Sequence, residues 1–180
     1  TSCSVLAMLA AMPVHARMAQ ARIARVGTSV ATLEQVRVRL DWPEGARTGE
    51  LQLWAGKVEA AGLGYRYRDL HWRCPLRRVA NDGWQCDGVL RSGNAAPLRL
   101  AVQFDAATTQ ASLTQGGARF ALDRSAATPD LTALDLTRVP MAWAQALLSQ
   151  AWPEARLKGG LLDASLAIEA PANRPLRISG

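Results

Sequence analysis

Beyond the first sixteen residues the chain has only two cysteines, Cys74 and Cys86, twelve positions apart. Each follows a tryptophan by two residues, in Trp72-Arg73-Cys74 and Trp84-Gln85-Cys86. Residues i and i+2 of an extended strand share a face, so each thiol lies beside a large apolar ring. Zinc would require about four nitrogen or sulfur ligands, and only His71 could join the two thiols. A redox dithiol favours Cys-x-x-Cys spacing and a lowered thiol pKa, and that spacing is absent. The simplest account is a structural Cys74–Cys86 disulfide stapling two strands about an Asn81-Asp82-Gly83 turn, in an oxidising compartment. Neither a metal nor a cofactor is expected.

Proton-transfer chemistry has one candidate. His15 lies in the N-terminal segment, which leaves His71, with Asp69 on the same side of an alternating strand. A base and its orienting carboxylate can look like this, but a solvated polar face looks the same, and no nucleophile elbow or phosphate-cradling glycine run accompanies it. The chain therefore reads as a non-enzyme. The stretch holding Tyr65, Arg66, Tyr67, Arg68, Trp72, Arg73, Arg77, Arg78 and Trp84 has the stacking and charge of a single-strand binder. Arginines alternating with apolar residues also describe a half-exposed sheet, and the N-terminus leads away from nucleic acid, so no nucleic-acid partner is expected. Anionic headgroups or acidic envelope sugars are the fitting counter-charges.

The 180 residues allow one domain with a real core, and a composition 49% hydrophobic and 20% charged is globular. The net charge of +6 is almost all arginine, Lys57 and Lys158 being the only lysines. With alanine abundant too, this is a bias that nucleotide composition can contribute to, so the charge says little about partners. Val5 to Met12 is a short apolar run, followed by Pro13-Val14-His15-Ala16. Residues 1–16 read as a signal peptide cleaved after Ala16, with an uncleaved inner-membrane anchor or an ordinary buried helix as the alternatives. Cys3 falls in this segment, and the apolar stretch after it argues against a lipobox. Residues 17–180 read as a single β-rich domain, the N-terminal part of a longer protein whose next strand begins at Leu176-Arg177-Ile178.

Period-two alternation dominates that domain. It appears in Val36-Val38-Leu40, Leu51-Leu53, Leu63-Tyr65-Tyr67, Leu70-Trp72-Cys74, Leu98-Leu100-Val102-Phe104, Phe120-Leu122, Leu134-Leu136 and Leu162-Ala164-Leu166-Ile168. The parity changes between Tyr67 and Leu70, which predicts a bulge near Arg68-Asp69. Asp41 to Gly45 reads as a turn, and Pro75 as the end of a strand or an edge position. A short α-helix is expected over about 140–151, opened by Pro140 and closed before Pro153, and a weaker one over 17–26. Gly116-Gly117 and Gly159-Gly160 read as turns. The fold class is mainly β: an antiparallel curved sheet or groove, or an open sandwich. An open groove would present Leu98, Leu100, Val102, Phe104 and Leu166 to acyl chains, and a closed sandwich would bury them.

The order of these features resembles the AsmA-like group of bacterial envelope proteins, nearest to its YdbH and TamB branches. The similarity rests on Gly49-Glu-Leu-Gln-Leu-Trp54-Ala-Gly56, Leu70-His-Trp72, the segment after Val139-Pro140, Trp152-Pro153-Glu154-Ala155, and Lys158-Gly159-Gly160-Leu161-Leu162-Asp163. The Leu-Trp-Ala-Gly and Leu-His-Trp segments are also similar to the GspN-type proteins of type II secretion. The first resemblance implies a periplasmic, non-enzymatic β-groove domain in phospholipid transport between inner and outer membranes. Its partners would be acyl chains, envelope proteins and, if the first segment is uncleaved, the inner membrane. The second implies an assembly subunit that binds secretion-machinery proteins. Neither carries catalytic or cofactor residues, and the cysteine pair is a general mark of neither group.

Overall fold

The computed structural model describes residues 16–27, 31–60, 65–143, 154, 156, 159–169, 171 and 177–180. Eleven strands follow one another as a meander: β1 (Ala16–Gly27), β2 (Thr32–Pro43), β3 (Thr48–Ala60), β4 (Tyr65–Arg78), β5 (Trp84–Ser92), β6 (Leu98–Phe104), β7 (Thr108–Gln115), β8 (Ala118–Ser125), β9 (Leu131–Pro140), β10 (Leu161–Glu169) and β11 (Arg177–Ser179). All belong to one antiparallel sheet whose spatial order is the chain order, with β1 and β11 at its edges. Apart from marginal contacts, strands pack only on their sequence neighbours, so among the described residues the sheet neither closes into a barrel nor carries a second layer. The fold is mainly β, as expected, and of the two expected architectures it is the single open sheet.

Alternation and register together give the sheet two unlike faces. Directly opposed residues share a face, and one cross-strand row runs Gly49–Leu76–Cys86–Val102–Ala111–Leu122–Leu134–Leu166, from β3 to β10. The adjacent row on the same face runs Gly88–Leu100–Leu113–Phe120–Leu136–Ala164. The other face carries rows such as Gln85–Gln103–Gln110–Asp123. Surface ion pairs lace that polar face: Arg99 to Asp87 through two bonds of 2.7 Å, Arg39 to Asp41 at 2.9 Å, and Arg73 to Glu50 at 2.5 Å.

The parity change near Asp69 is a crease across four strands. Asp69 adopts φ 50° and Gln35 φ 55°, and the row Ala24–Gln35–Gly56–Asp69 is where ladder bridging lapses in β1, β2, β3 and β4. Across it the apolar spacing is three rather than two: Ile23 to Val26, Leu33 to Val36, Ala55 to Val58 and Tyr67 to Leu70. The register is the same on both sides, Lys57 facing Arg68 and Ala55 facing Leu70. No residue is inserted in one strand alone; left-handed residues rotate the alternation in step. A second disturbance lies at the far end, where Arg138 has φ 49°, β9 and β10 shift register between Leu162 and Ala164, and the Asp163 carboxylate accepts the Arg138 backbone N–H at 2.9 Å.

Four expectations are corrected. Residues 17–26 form strand β1 rather than a helix, paired with β2 from Ala16–Pro43 to Gly27–Thr32; ladder bonds to a ready partner outweigh the helix preference of Ala, Met and Arg. Pro75 does not end its strand, because β4 continues to Arg78; Pro75 faces Glu50 of β3, and the β5 ladder lapses beside it, where its missing N–H costs no bond. Asp41, Trp42 and Pro43 extend β2, and the turn falls at Glu44-Gly45, where Gly45 adopts φ 72°. Pro140 is the last residue of β9, and helical geometry covers Met141–Trp143; the remainder of the expected helix, 144–151, lies outside the described residues, as does the N-terminal segment 1–15. The turns at Asn81-Asp82-Gly83, Gly116-Gly117 and Gly159-Gly160 stand where expected.

Candidate functional site

The Cys74–Cys86 disulfide braces the apolar face at its β4–β5 hairpin. Cys86 faces Leu76, Cys74 lies diagonally across, and their Cα atoms are 5.5 Å apart. Both cysteines are buried and, with Leu76, form a small core against which Leu40, Trp42, Leu51, Trp72 and Trp84 pack. Two glycines allow close approaches around this hairpin. Trp42 lies across Gly49, where a Cβ would fall 2.3 Å from its Cε3. At Gly88 a Cβ would fall 1.9 Å from the Arg73 carbonyl oxygen and 2.6 Å from the Cys74 Cβ, so the β5 backbone approaches β4 closely. Trp72 reaches over β5 and donates its indole N–H to the Leu100 carbonyl on β6 at 3.3 Å.

Trp42 and Trp84 meet edge to face with centroids 5.4 Å apart although β2 and β5 are three strand spacings apart. At about 4.8 Å per spacing that is roughly 14 Å in a flat sheet. The two rings lean toward each other over the apolar face and close one end of it. Arg78 sits over Trp84 at 5.4 Å, and Arg47 joins these residues around an open depression of about 640 Å³.

Leu98, Leu100, Val102, Phe104 and Leu166 lie on this same face, Val102 and Leu166 within one row. The face is largely uncovered. Among the described residues the buried hydrophobics number eight (Val36, Ala55, Cys74, Leu76, Cys86, Ala118, Leu134 and Val139), while Leu98, Leu100, Val102 and Leu166 are half-buried and Phe104 is 43% exposed. Leu113, Phe120, Leu122, Leu134 and Leu136 complete the face, and the sequence reading did not assign them to it. Phe120, Leu122, Leu134 and Leu136 carried the same alternation as Leu98–Phe104. Leu113 stands alone in the polar β7 and is revealed only by its register with Leu100 and Phe120.

Asp69 and His71 are not brought together. No hydrogen bond joins them among the described residues, and the crease at Asp69 separates their backbones from regular alternation. His71 instead stacks on Trp54, centroids 5.0 Å apart and planes 4° apart. Its Nε2 is buried without a hydrogen-bond partner, and burial, followed by the Arg73 and Arg91 charges, holds the imidazole below its ordinary pKa. Among the described residues no group of three or more metal-ligating side chains gathers, and no helix is long and apolar enough to cross a membrane.

Fold and face together define an open antiparallel β-meander with one apolar and one charged surface, stapled by a disulfide that fits an extracytoplasmic compartment. No protein-family model, curated protein or solved structure matches this chain.

Proposed function

We propose that this chain is a non-enzymatic periplasmic domain of the AsmA-like kind, whose apolar face carries phospholipid acyl chains between the inner and outer membranes. The observation behind this reading is the apolar row from Leu76 to Leu166, which no second layer covers among the described residues. Burying one Leu, Val or Phe side chain contributes about 1.5–3 kcal/mol. A face built from two adjacent rows of apolar side chains and left in water forgoes that gain many times over, which is the mark of a surface with an occupant. Acyl chains suit it because the rows from Leu76 to Leu166 and from Gly88 to Ala164 are apolar and continuous across strands, with Asp87, Arg99, Arg119, Asp123 and Asp135 on the opposite surface and Arg124 bordering the rows beside Phe104.

A photocrosslinking residue placed at Val102 in the cellular protein tests this. A lipid adduct at 102 and none at the neighbouring Gln103, which faces the polar side, is the expected result. Equal adducts at both positions, or none at 102, would overturn it.

A further inference from the structure

On the polar face one row sets two arginines directly opposite each other. Arg22 of β1 faces Arg37 of β2, Arg37 faces Trp54 of β3, Trp54 faces His71 of β4, and His71 faces Arg91 of β5. The row holds three guanidiniums and no carboxylate. Several other cations of the sheet are matched: Arg39 with Asp41, Lys57 and Arg66 with Glu59, Arg73 with Glu50, Arg78 with Asp82, and Arg99 with Asp87. Among the described residues Arg22, Arg37 and Arg91 have no such ion-pair partner. Like charges directly opposite in a sheet are destabilising, so the Arg22–Arg37 pair carries a repulsion; the facing cations Lys57 and Arg68 differ in that Glu59 pairs with Lys57.

Three further features surround the pair. Arg37 lies over the Trp54 ring at 5.8 Å, which holds its planar fork beside a rigid aromatic wall. The Trp54–His71 stack extends that wall and leaves His71 Nε2 buried and unpartnered. Along the crease, an open depression of about 550 Å³ is lined by Arg22, Arg37, Gln35, Trp54, Gly56 and Asp69. Asp69 is the one carboxylate there, and two guanidiniums in the same wall outweigh it.

We infer that the Arg22–Arg37 pair beside Trp54 is a binding site for a phosphate group, whose oxygens accept from both guanidiniums and remove the repulsion between them. Guanidinium forks match phosphate oxygens geometrically, and charge-assisted bonds of this type are the strong ones. The site stands on the face opposite the acyl-chain surface and does not depend on that reading. The phosphate can come from an anionic lipid headgroup or from a soluble phosphate, and the experiment separates these.

The test uses the full chain, the Arg22→Gln/Arg37→Gln variant, and an Arg77→Gln/Arg119→Gln control that removes equal charge from the same face. Binding is read from the Trp54 indole and His71 imidazole NMR signals on titration with inorganic phosphate, and from co-sedimentation with phosphatidylcholine vesicles with and without phosphatidylglycerol. Each lost charged hydrogen bond corresponds to about a tenfold loss of affinity. The paired variant should therefore bind at least about tenfold more weakly, and the control should bind as the parent does. Response to both probes assigns any accessible phosphate as the ligand; response to the phosphatidylglycerol vesicles alone assigns the headgroup. A melting measurement guards against misfolding: without anion the paired variant should melt above the parent, and phosphate should raise the parent's melting temperature only. Binding to neither probe, or equal losses in the paired variant and the control, overturns the site.

Discussion

The bond between Cys74 and Cys86 closes a loop of twelve residues, and on the chain-entropy model a loop of that length contributes about 3 kcal/mol. Replacing both cysteines with alanine should lower the urea-unfolding free energy by at least about this amount, since both side chains are also buried at the centre of the cluster against which Trp72 and Trp84 pack. Unreduced mass spectrometry should find the two thiols joined in the parent. His71 predicts a pH dependence. Its folded pKa is depressed below the unfolded value of about 6.5, so below that pH the unfolded chain binds more protons than the folded one. The stability that its neutral form provides is full above about pH 6.5 and is lost as pH falls toward the lowered folded value. His71→Gln should flatten this first decline in a denaturation series run from neutral to mildly acid pH. A second decline begins below about pH 4, because Glu50 (held down by Arg73), Asp87 (by Arg99) and Asp105 (by the Thr108 and Ala107 backbone N–H groups) all have lowered folded pKa values. That decline should survive the His71 substitution unchanged.

Among the elements, the crease and the β4–β5 contact make opposite predictions for small residues. Asp69 holds a left-handed conformation that costs an L-residue about 1–2 kcal/mol, so Asp69→Gly should raise stability by about 1 kcal/mol in urea titration. Gly88→Ala should lower it by about 3 kcal/mol, because its methyl would meet the Arg73 backbone and the Cys74 Cβ, neither of which can move aside. Gly27→Ala, facing open space, should change little by comparison. How far such features can be read from sequence varies by strand. β6 and β10 alternate large apolar with small or polar residues and declare themselves. β7, Thr-Thr-Gln-Ala-Ser-Leu-Thr-Gln, has a single large apolar side chain and is a strand because β6 and β8 pair with it. β1 looked helical for the same reason in reverse, since propensity is local and ladder pairing is not. The crease was visible at Tyr67 and Leu70, and the same three-residue spacing at Ile23, Leu33 and Ala55 was equally visible, but only the register places the four in one line. The groove residues of β6 were legible for the same reason as β6 itself. The arginine row was not, because it exists only between strands.

For the molecule as a whole, the decisive property is that no second layer covers the sheet's apolar face among the described residues. A closed core and an occupied open face respond differently to charge. In a closed core, carboxylates introduced at Leu100 and Phe120 would be desolvated without partners, at a cost of several kcal/mol each, and the fold would be lost. On an open face they remain in contact with water, and what they destroy is the continuous apolar path, since Leu100, Leu113 and Phe120 stand side by side in one row. Leu100→Asp/Phe120→Asp should therefore keep the β-sheet circular dichroism and the Cys74–Cys86 bond while losing co-extracted phospholipid. The parent protein, purified without detergent, should retain that lipid, detectable by mass spectrometry of an organic extract. A lipid-free parent that sediments as a dimer would show the face to be covered by a second copy. Unfolding of the double variant would show it to be a core. Either result would end the acyl-chain reading, while the phosphate site on the other face would stand or fall by its own titration.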